Sequence, residues 1–312
     1  MSLRIVFMGT PSFAVPSLRA LVDAGHEIAG VFCQPDRPKG RGNKLEFCPV
    51  KQFAVGRGIP VFQPARIRLD GADALRNLHP DLCVTAAFGQ ILSEDNLSVP
   101  ALGTVNVHAS LLPKYRGSAP ISWALINGEK TTGVTTMLTD KGLDTGDILL
   151  QTAVPVPAGI TAGELTDILA EAGAELLTET VAQIEKGICP RQKQNEAEMS
   201  YYPMLTKETG HIDFENPADS IVHLIRGVSP WPGAYVKAGE ESVKIWSAEA
   251  VRSGGSDKAP GEVIAADTEQ GLLIRAGGDS ALSVLELQLP GGKRMKTADY
   301  LRGHRFPFTR VE

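Results

Sequence analysis

"LRIVFMGTPSFAVPSLRALVDAGHEIAGVFCQ", Leu3 to Gln34, is the stretch that decides the fold class. Its opening, "LRIVFMG", is apolar almost without interruption, the pattern of a strand buried on both faces of a parallel sheet. "GTPSF" turns the chain, and Pro16 to Gly25 continues as a helix with Leu18, Leu21 and Val22 on one side. "EIAGVFCQ" is a second strand. The unit then repeats. "PVKQFAVGRG" reads as a helix closed by glycine, "PVFQ" as a short strand, "DALRNLH" as a helix, and "DLCVTAAF" and "GTVNVH" as strands. Consecutive β-α-β units with right-handed crossovers predict an α/β, Rossmann-like, doubly wound and mostly parallel sheet.

Further along, Thr161 to Gly187 reads as one long helix. Thr161 and Glu164 form a capping-box pattern, Leu165, Ile168, Leu169, Ala172, Leu176, Val181 and Ile184 recur at helical spacing, and Gly187 is a natural stop. The acidic face (Glu171, Glu175, Glu179, Glu185) is read as solvated. "CPRQKQNEAEMSYYPMLTKETG" is polar and aperiodic. From about Ile212 come short β-rich runs broken by glycine, such as "SVKIWSAEAV", "GLLIRAGG" and "ALSVLELQL", which predict a small β-barrel. The expected organisation is a domain over residues 1–189, a linker over 190–209 and a second domain over 210–312.

A chain of 312 residues can bury two such cores. A net charge of −5 excludes a uniformly basic nucleic-acid binder but not a local basic patch. The apolar N-terminal run is too short for a signal-peptide core or a membrane span. Cys33, Cys48, Cys83 and Cys189 show no CxxC spacing and read as isolated thiols in a reducing cytoplasm.

Four stretches are candidates for chemistry. "MGTPSFAVPS" lies where a dinucleotide fingerprint would, but lacks the second close glycine that a pyrophosphate needs, which disfavours NAD. "PDRPKGRGNK" carries Arg37, Lys39, Arg41 and Lys44 against one acid, Asp36, after the ligand-side end of a strand. Charge alone leaves it open between a solvated loop and a phosphate-contacting arm, with Arg41 as the best anionic anchor. In "TVNVHASLLPKYRG" strand alternation puts Asn106 and His108 on one face, opening into a rigid Leu-Leu-Pro break. "TDKGLDTGDIL" brings Asp140, Asp144 and Asp147 into a glycine-punctuated loop that does not match an EF-hand. Turn capping explains such aspartates equally well, and periodicity does not say which of them would partner His108.

"NVHASLLPKYRG" together with "GLDTGDIL" resembles the formyltransferase family that uses 10-formyltetrahydrofolate. "RIVFMGTPSFAVPSL", "GVFCQPDRPKGRGNKL", "LTKETGHIDF" and "IRGVSPWPGAYV" are similar to the branch whose acceptor is methionyl-tRNA, so the resemblance covers essentially the whole chain. It implies Asn106, His108 and Asp144 as the catalytic set. It implies Ser110, Leu111, Leu112 and Pro113 as the folate signature, with a cis Leu-Pro bond. Arg41 matches a loop arginine used near the tRNA acceptor end, which places Arg37, Lys39 and Lys44 in the same tRNA-binding loop. An OB-like C-terminal domain that helps hold tRNA follows from the same resemblance. Two positions depart from it: Met204 stands where a lysine is frequent, and Phe214 where a tryptophan is common.

The implied reaction moves a formyl group from 10-formyltetrahydrofolate, a cosubstrate, to the α-amine of methionine on initiator tRNA, without a metal. The amine is the nucleophile, so no protein Ser or Cys is needed. Asn106 and His108 would donate to the oxyanion, and Asp144 would orient His108 and help move the amine proton. The expected enzyme is a cytoplasmic monomer with no membrane partner. A second basic cluster, Lys293, Arg294, Lys296, Arg302, Arg305 and Arg310 against Asp299, reads either as a phosphate-tracking patch or as a solvated helix with ion pairs. Alternatives are an amino-sugar acceptor, a non-catalytic RNA-binding module and, more distantly, a nicotinamide dehydrogenase.

Overall fold

A computed structural model describes residues 2–39 and 44–312. In chain order the first elements are β1 (Arg4–Gly9), α1 (Ala14–Asp23), β2 (Glu27–Phe32), β3 (Arg37–Lys39), β4 (Lys44–Glu46), α2 (Pro49–Gly56) and β5 (Val61–Phe62). A π-type turn at Ile67–Gly71 leads into α3 (Ala72–Asn77), β6 (Leu82–Ala86), α4 (Glu94–Leu97), β7 (Thr104–His108) and β8 (Arg116–Gly117). Then come α5 (Pro120–Ile126), β9 (Thr131–Leu138), β10 (Ile148–Pro155), α6 (Ala162–Glu185) and β11 (Tyr201–Tyr202). The remainder is α7 (Ala218–Gly227), β12 (Ala234–Ala238), β13 (Glu241–Arg252), β14 (Val263–Asp267), β15 (Gly271–Ala276), β16 (Ser280–Gln288), β17 (Met295–Lys296) and α8 (Thr297–Gly303).

The chain divides into two compact units. One comprises Met1–Gly117, Thr131–Pro155 and Thr166–Tyr202; the other comprises Ser118–Lys130, Val156–Leu165 and Pro203–Glu312.

The first unit is built on a sheet of order β10-β9-β7-β6-β1-β2-β5. The strands from β5 to β7 are parallel, and β9 and β10 are antiparallel. This is the doubly wound arrangement expected from the repeated β-α-β pattern. Its order reverses between β1 and β6, so ligands are expected beyond the carboxyl ends of the strands there. Burial explains the unbroken apolar runs: Ile5 to Met8 in β1 and Leu82 to Val84 in β6 are fully inaccessible. Helix α6 is capped as its sequence demands, with Glu164 Oε2 accepting from the Thr161 hydroxyl at 2.7 Å and from its N–H at 2.9 Å. It can lie close on the sheet because Gly173 has no Cβ, which would sit 3.0 Å from Val107 Cγ1.

The second unit is an antiparallel sheet of order β12-β13-β16-β15-β14, with β17 on β16. Among the described residues the end strands β12 and β14 do not pair with each other. The last residues lie between them instead. Val263 N donates to Thr309 O and Val311 N to Gly261 O, each at 2.9 Å, while Glu312 N donates to Lys237 O at 2.7 Å. Helices α7 and α8 pack on this sheet and contribute Ile221, Ile225, Tyr300 and Leu301 to its core, together with Phe214. The strand reading of this region missed α7, although Ile221, Ile225 and Val228 carry an i, i+4, i+7 signal, while α8 falls in the basic stretch for which a helix was one of the two readings. Met204 is exposed.

All four cysteines are free. Burial, with the Cys48 thiol alongside, pushes Cys33 up to about 12, and burial pushes Cys83 to about 12. At about pH 8 an alkylating reagent should leave both unmodified in the folded protein and reach them only after denaturation. Mass spectrometry of the labelled protein checks this; rapid native labelling of Cys83 would contradict it.

Candidate active site

Asn106 and His108 stand at the carboxyl end of β7, on the ligand side of the sheet. Thr85 lies in register with Asn106 on β6, and its hydroxyl donates to Asn106 Oδ1 at 2.8 Å. That bond fixes which way the amide points. Among the described residues Nδ2 has no hydrogen-bond partner, so a donor is left available to a ligand.

The His108 ring is buried, hydrogen-bonded through Nε2 and facing a carboxylate with Nδ1. Nε2 lies 3.0 Å from the carbonyl of Tyr115, and Nδ1 lies 3.7 Å from Asp144 Oδ1. A carbonyl only accepts, so Nε2 carries the proton of the neutral ring and Nδ1 presents a lone pair toward Asp144. The sequence reading has an imidazole N–H facing the substrate. Here Nε2 is committed to Tyr115, and the nitrogen left for chemistry is Nδ1. The other Asp144 oxygen, Oδ2, accepts from Gly117 N at 2.8 Å. Of the three loop aspartates, then, the fold brings Asp144 to His108. Asp140 caps its own turn through Gly142 N and Thr145 Oγ1, and Asp147 pairs with Lys193.

The backbone here departs from ordinary conformations. Tyr115 and Asp144 both have positive φ (62° and 54°) without being glycine. Each such residue costs about 1–3 kcal/mol and persists only where its surroundings enforce it. Gly146 lets the Asp144 loop approach β9 closely, because a Cβ there would fall 1.6 Å from the Leu138 carbonyl oxygen.

The Ser110–Pro113 turn is held from β9 and β10. Its Leu112–Pro113 bond is cis. Thr135 Oγ1 donates to Ser110 O at 2.6 Å and accepts from Leu112 N at 3.1 Å. Gln151 Nε2 donates to Leu112 O and to Thr135 Oγ1, both at 2.9 Å, and Ser110 Oγ donates to Lys114 O at 2.7 Å. Leu111 is backed by Gly133, whose Cβ would meet it at 2.6 Å. Thr85, Thr135 and Gln151 escape sequence reasoning because strand alternation marks faces, not the cross-strand partners that register supplies.

Of the basic loop, Arg41 lies outside the described residues, as do its neighbours 40, 42 and 43. Lys39 and Lys44 close the β3–β4 hairpin by pairing their backbones. Arg37 lines a cleft of about 540 Å³ together with Thr10, Gln34, Phe47 and Gly89, at the carboxyl ends of the strands. The single acid of that loop is occupied: Asp36 is ion-paired to Lys51 and accepts from Gln63 Nε2 at 3.0 Å, contacts that hold its carboxyl below the usual range. In the C-terminal cluster Arg294 pairs with Glu286 and Arg302 with Asp299, while Lys293, Lys296, Arg305 and Arg310 are exposed. Among the described residues no group of three His, Cys, Asp or Glu side chains could hold a metal ion. No helix among them is long and apolar enough to cross a membrane.

Residues 3–181 match the formyl transferase family model, and residues 204–305 match the model of the formyl transferase C-terminal domain. The methionyl-tRNA formyltransferase of Ruminiclostridium cellulolyticum is 47% identical over 97% of this chain and 97% of its own length. The chain belongs to the methionyl-tRNA formyltransferase family. A second member, from Caldanaerobacter subterraneus, is 48% identical over 98% of both chains. Among solved structures, an N-formyltransferase from Helicobacter canadensis, crystallised with folinic acid and dTDP-3-aminofucose, shares the fold with a TM-score of 0.68. It is 20% identical to this chain, over 90% of it and 98% of its own length. HypX from Aquifex aeolicus has a TM-score of 0.65 at 18% identity, covering 96% of this chain and 49% of that one.

Proposed function

We propose that this chain transfers the formyl group of 10-formyltetrahydrofolate to the α-amino group of methionine on initiator tRNA. Family membership at 47–48% identity over nearly the full length carries the choice of acceptor. The donor set fits the chemistry: an oriented amide N–H with no partner among the described residues, a ring nitrogen presenting a lone pair, and a carboxylate behind it. The folate cosubstrate supplies an acyl carbon already activated for attack, so the protein's tasks are orientation, charge stabilisation and proton movement.

Asn106 Nδ2 donates to the formyl oxygen as negative charge develops on it. His108 Nδ1 accepts the proton lost by the attacking amine, and Asp144 stabilises the charged ring that results. The 3.7 Å gap between them shortens to a hydrogen bond once Nδ1 is protonated. His108 then passes the proton to the departing nitrogen. Ser110, Leu111, Leu112 and Pro113 form the wall that fixes the donor, clamped by Thr135 and Gln151. An α-amino group titrates near 7.7–8.0, and esterification lowers that value, so neutral nucleophile is present at neutral pH.

Residues 1–189 act as the catalytic domain and 190–209 as the segment joining it to a tRNA-holding domain, 210–312. Arg37, Lys39, Arg41 and Lys44 form the loop that contacts the acceptor end. Asp36, the acid of that stretch, is ion-paired to Lys51. The enzyme works as a cytoplasmic monomer without a membrane partner.

The deciding assay compares two acceptors, charged initiator tRNA and a nucleotide-linked amino sugar, each with 10-formyltetrahydrofolate. Formylation of the tRNA is expected; formylation of the sugar instead, or no tetrahydrofolate release with either, would overturn the proposal. Arg41→Leu should raise KM for charged tRNA about tenfold or more while leaving folate binding unchanged. Equal loss of folate binding would remove the loop assignment.

A further inference from the structure

Gln194 lies between exposed residues, 190–193 before it and 195–199 after it, yet its side chain is turned inward and fully engaged. Nε2 donates to the main-chain carbonyls of Asp144 and Gly146, both at 2.8 Å. Oε1 accepts from Arg116 Nε at 3.0 Å and from Arg116 Nη2 at 2.8 Å. Both amide protons and the amide oxygen are therefore used. Arg116 is itself buried, and its outer edge pairs with Glu196 at 2.7 Å and 3.0 Å.

Arg116 stands between two residues that touch the catalytic pair. Tyr115 O holds His108 Nε2, and Gly117 N holds Asp144 Oδ2. Neighbouring contacts fix the segment that carries Gln194: Gln192 and Ile148 exchange backbone hydrogen bonds of 2.8 and 2.9 Å, Tyr115 N donates to Ser200 Oγ at 2.9 Å, and β11 pairs with β8.

We propose that Gln194 is a positioning residue for formyl transfer, holding the left-handed backbone of Asp144 so that its carboxylate meets His108. The role rests on the function proposed above. It needs a side chain with two donors and one acceptor at this reach, which glutamine supplies. Misplacing the carboxylate by about 1 Å costs on the order of 10²-fold in rate.

Gln194→Glu tests this with little change of shape. The glutamate keeps an acceptor for Arg116 but faces the Asp144 and Gly146 carbonyls with oxygen. The expected result is a folded protein with KM for both substrates within about twofold and kcat lowered about 10–100-fold. The Gly117 amide proton resonance should shift, as it should in Asp144→Ala, because both variants disturb the same hydrogen bond. In the Asp144→Asn background the substitution should cost less than about twofold, since the group it positions is already inactive. An unchanged kcat with an unmoved Gly117 resonance would overturn the proposal, as would the same fold-loss in both backgrounds. If the unsubstituted protein forms no formylmethionyl-tRNA, the reaction is wrong, and the Gly117 resonance still decides whether Gln194 holds Asp144.

Discussion

Asp144→Asn should fold, bind charged tRNA and lose about 10²–10⁴ in kcat. The amide is isosteric with the carboxylate. Its oxygen can still accept from Gly117 N, the 2.8 Å contact that anchors the side chain, and the left-handed backbone is held by Gln194 in either case. Its NH₂ can face the His108 Nδ1 lone pair across the present 3.7 Å. What disappears is the negative charge that stabilises the ring when Nδ1 takes the amine proton. In a buried site that charge is weakly screened, so its removal acts on the rate more than on the structure. Single-turnover formyl transfer, with tRNA affinity measured separately, checks this. An unchanged rate constant with weakened tRNA binding would move Asp144 out of the catalytic set.

The second large effect is at Asn106. Asn106→Ala should lower kcat about 10²–10³-fold, the usual cost of one oxyanion donor. Thr85 would lose its acceptor at 2.8 Å, but its hydroxyl already lies 3.4 Å from the Val105 carbonyl and can turn to it. The stability cost should therefore stay near one net hydrogen bond, about 0.5–1.5 kcal/mol. Activity falling in parallel with thermal stability would show the residue to be structural. Asn106→Asp adds a test, since it keeps the bond from Thr85 while setting a negative charge where the oxyanion would form. Its rate should be at least as low as that of the alanine variant.

Much of the fold could be read because its signals are local. Buried parallel strands are continuously apolar, as in "LRIVFMG", and α6 carries its capping box and apolar stripe in one run. Helices α5 and α7 are short and set among strand-like segments, so the surrounding β pattern hid them. The polar run from Gln192 to Ser200 looked like a passive connection because its contacts are to residues far away in sequence. Gln194 reaches Asp144 and Arg116, and Ser200 reaches Tyr115.

Sequence alone determined the doubly wound α/β class, the shared strand face of Asn106 and His108, and the family to which this chain belongs. Period and spacing are properties of neighbouring residues, and a motif is a local string. The family motif named Asp144, but only the tertiary structure decided how it meets His108, which ring nitrogen faces it, and what orients the Asn106 amide. Those depend on strand register, on a left-handed backbone at Asp144 and on side chains reaching across the fold, and none of these leaves a period in the sequence.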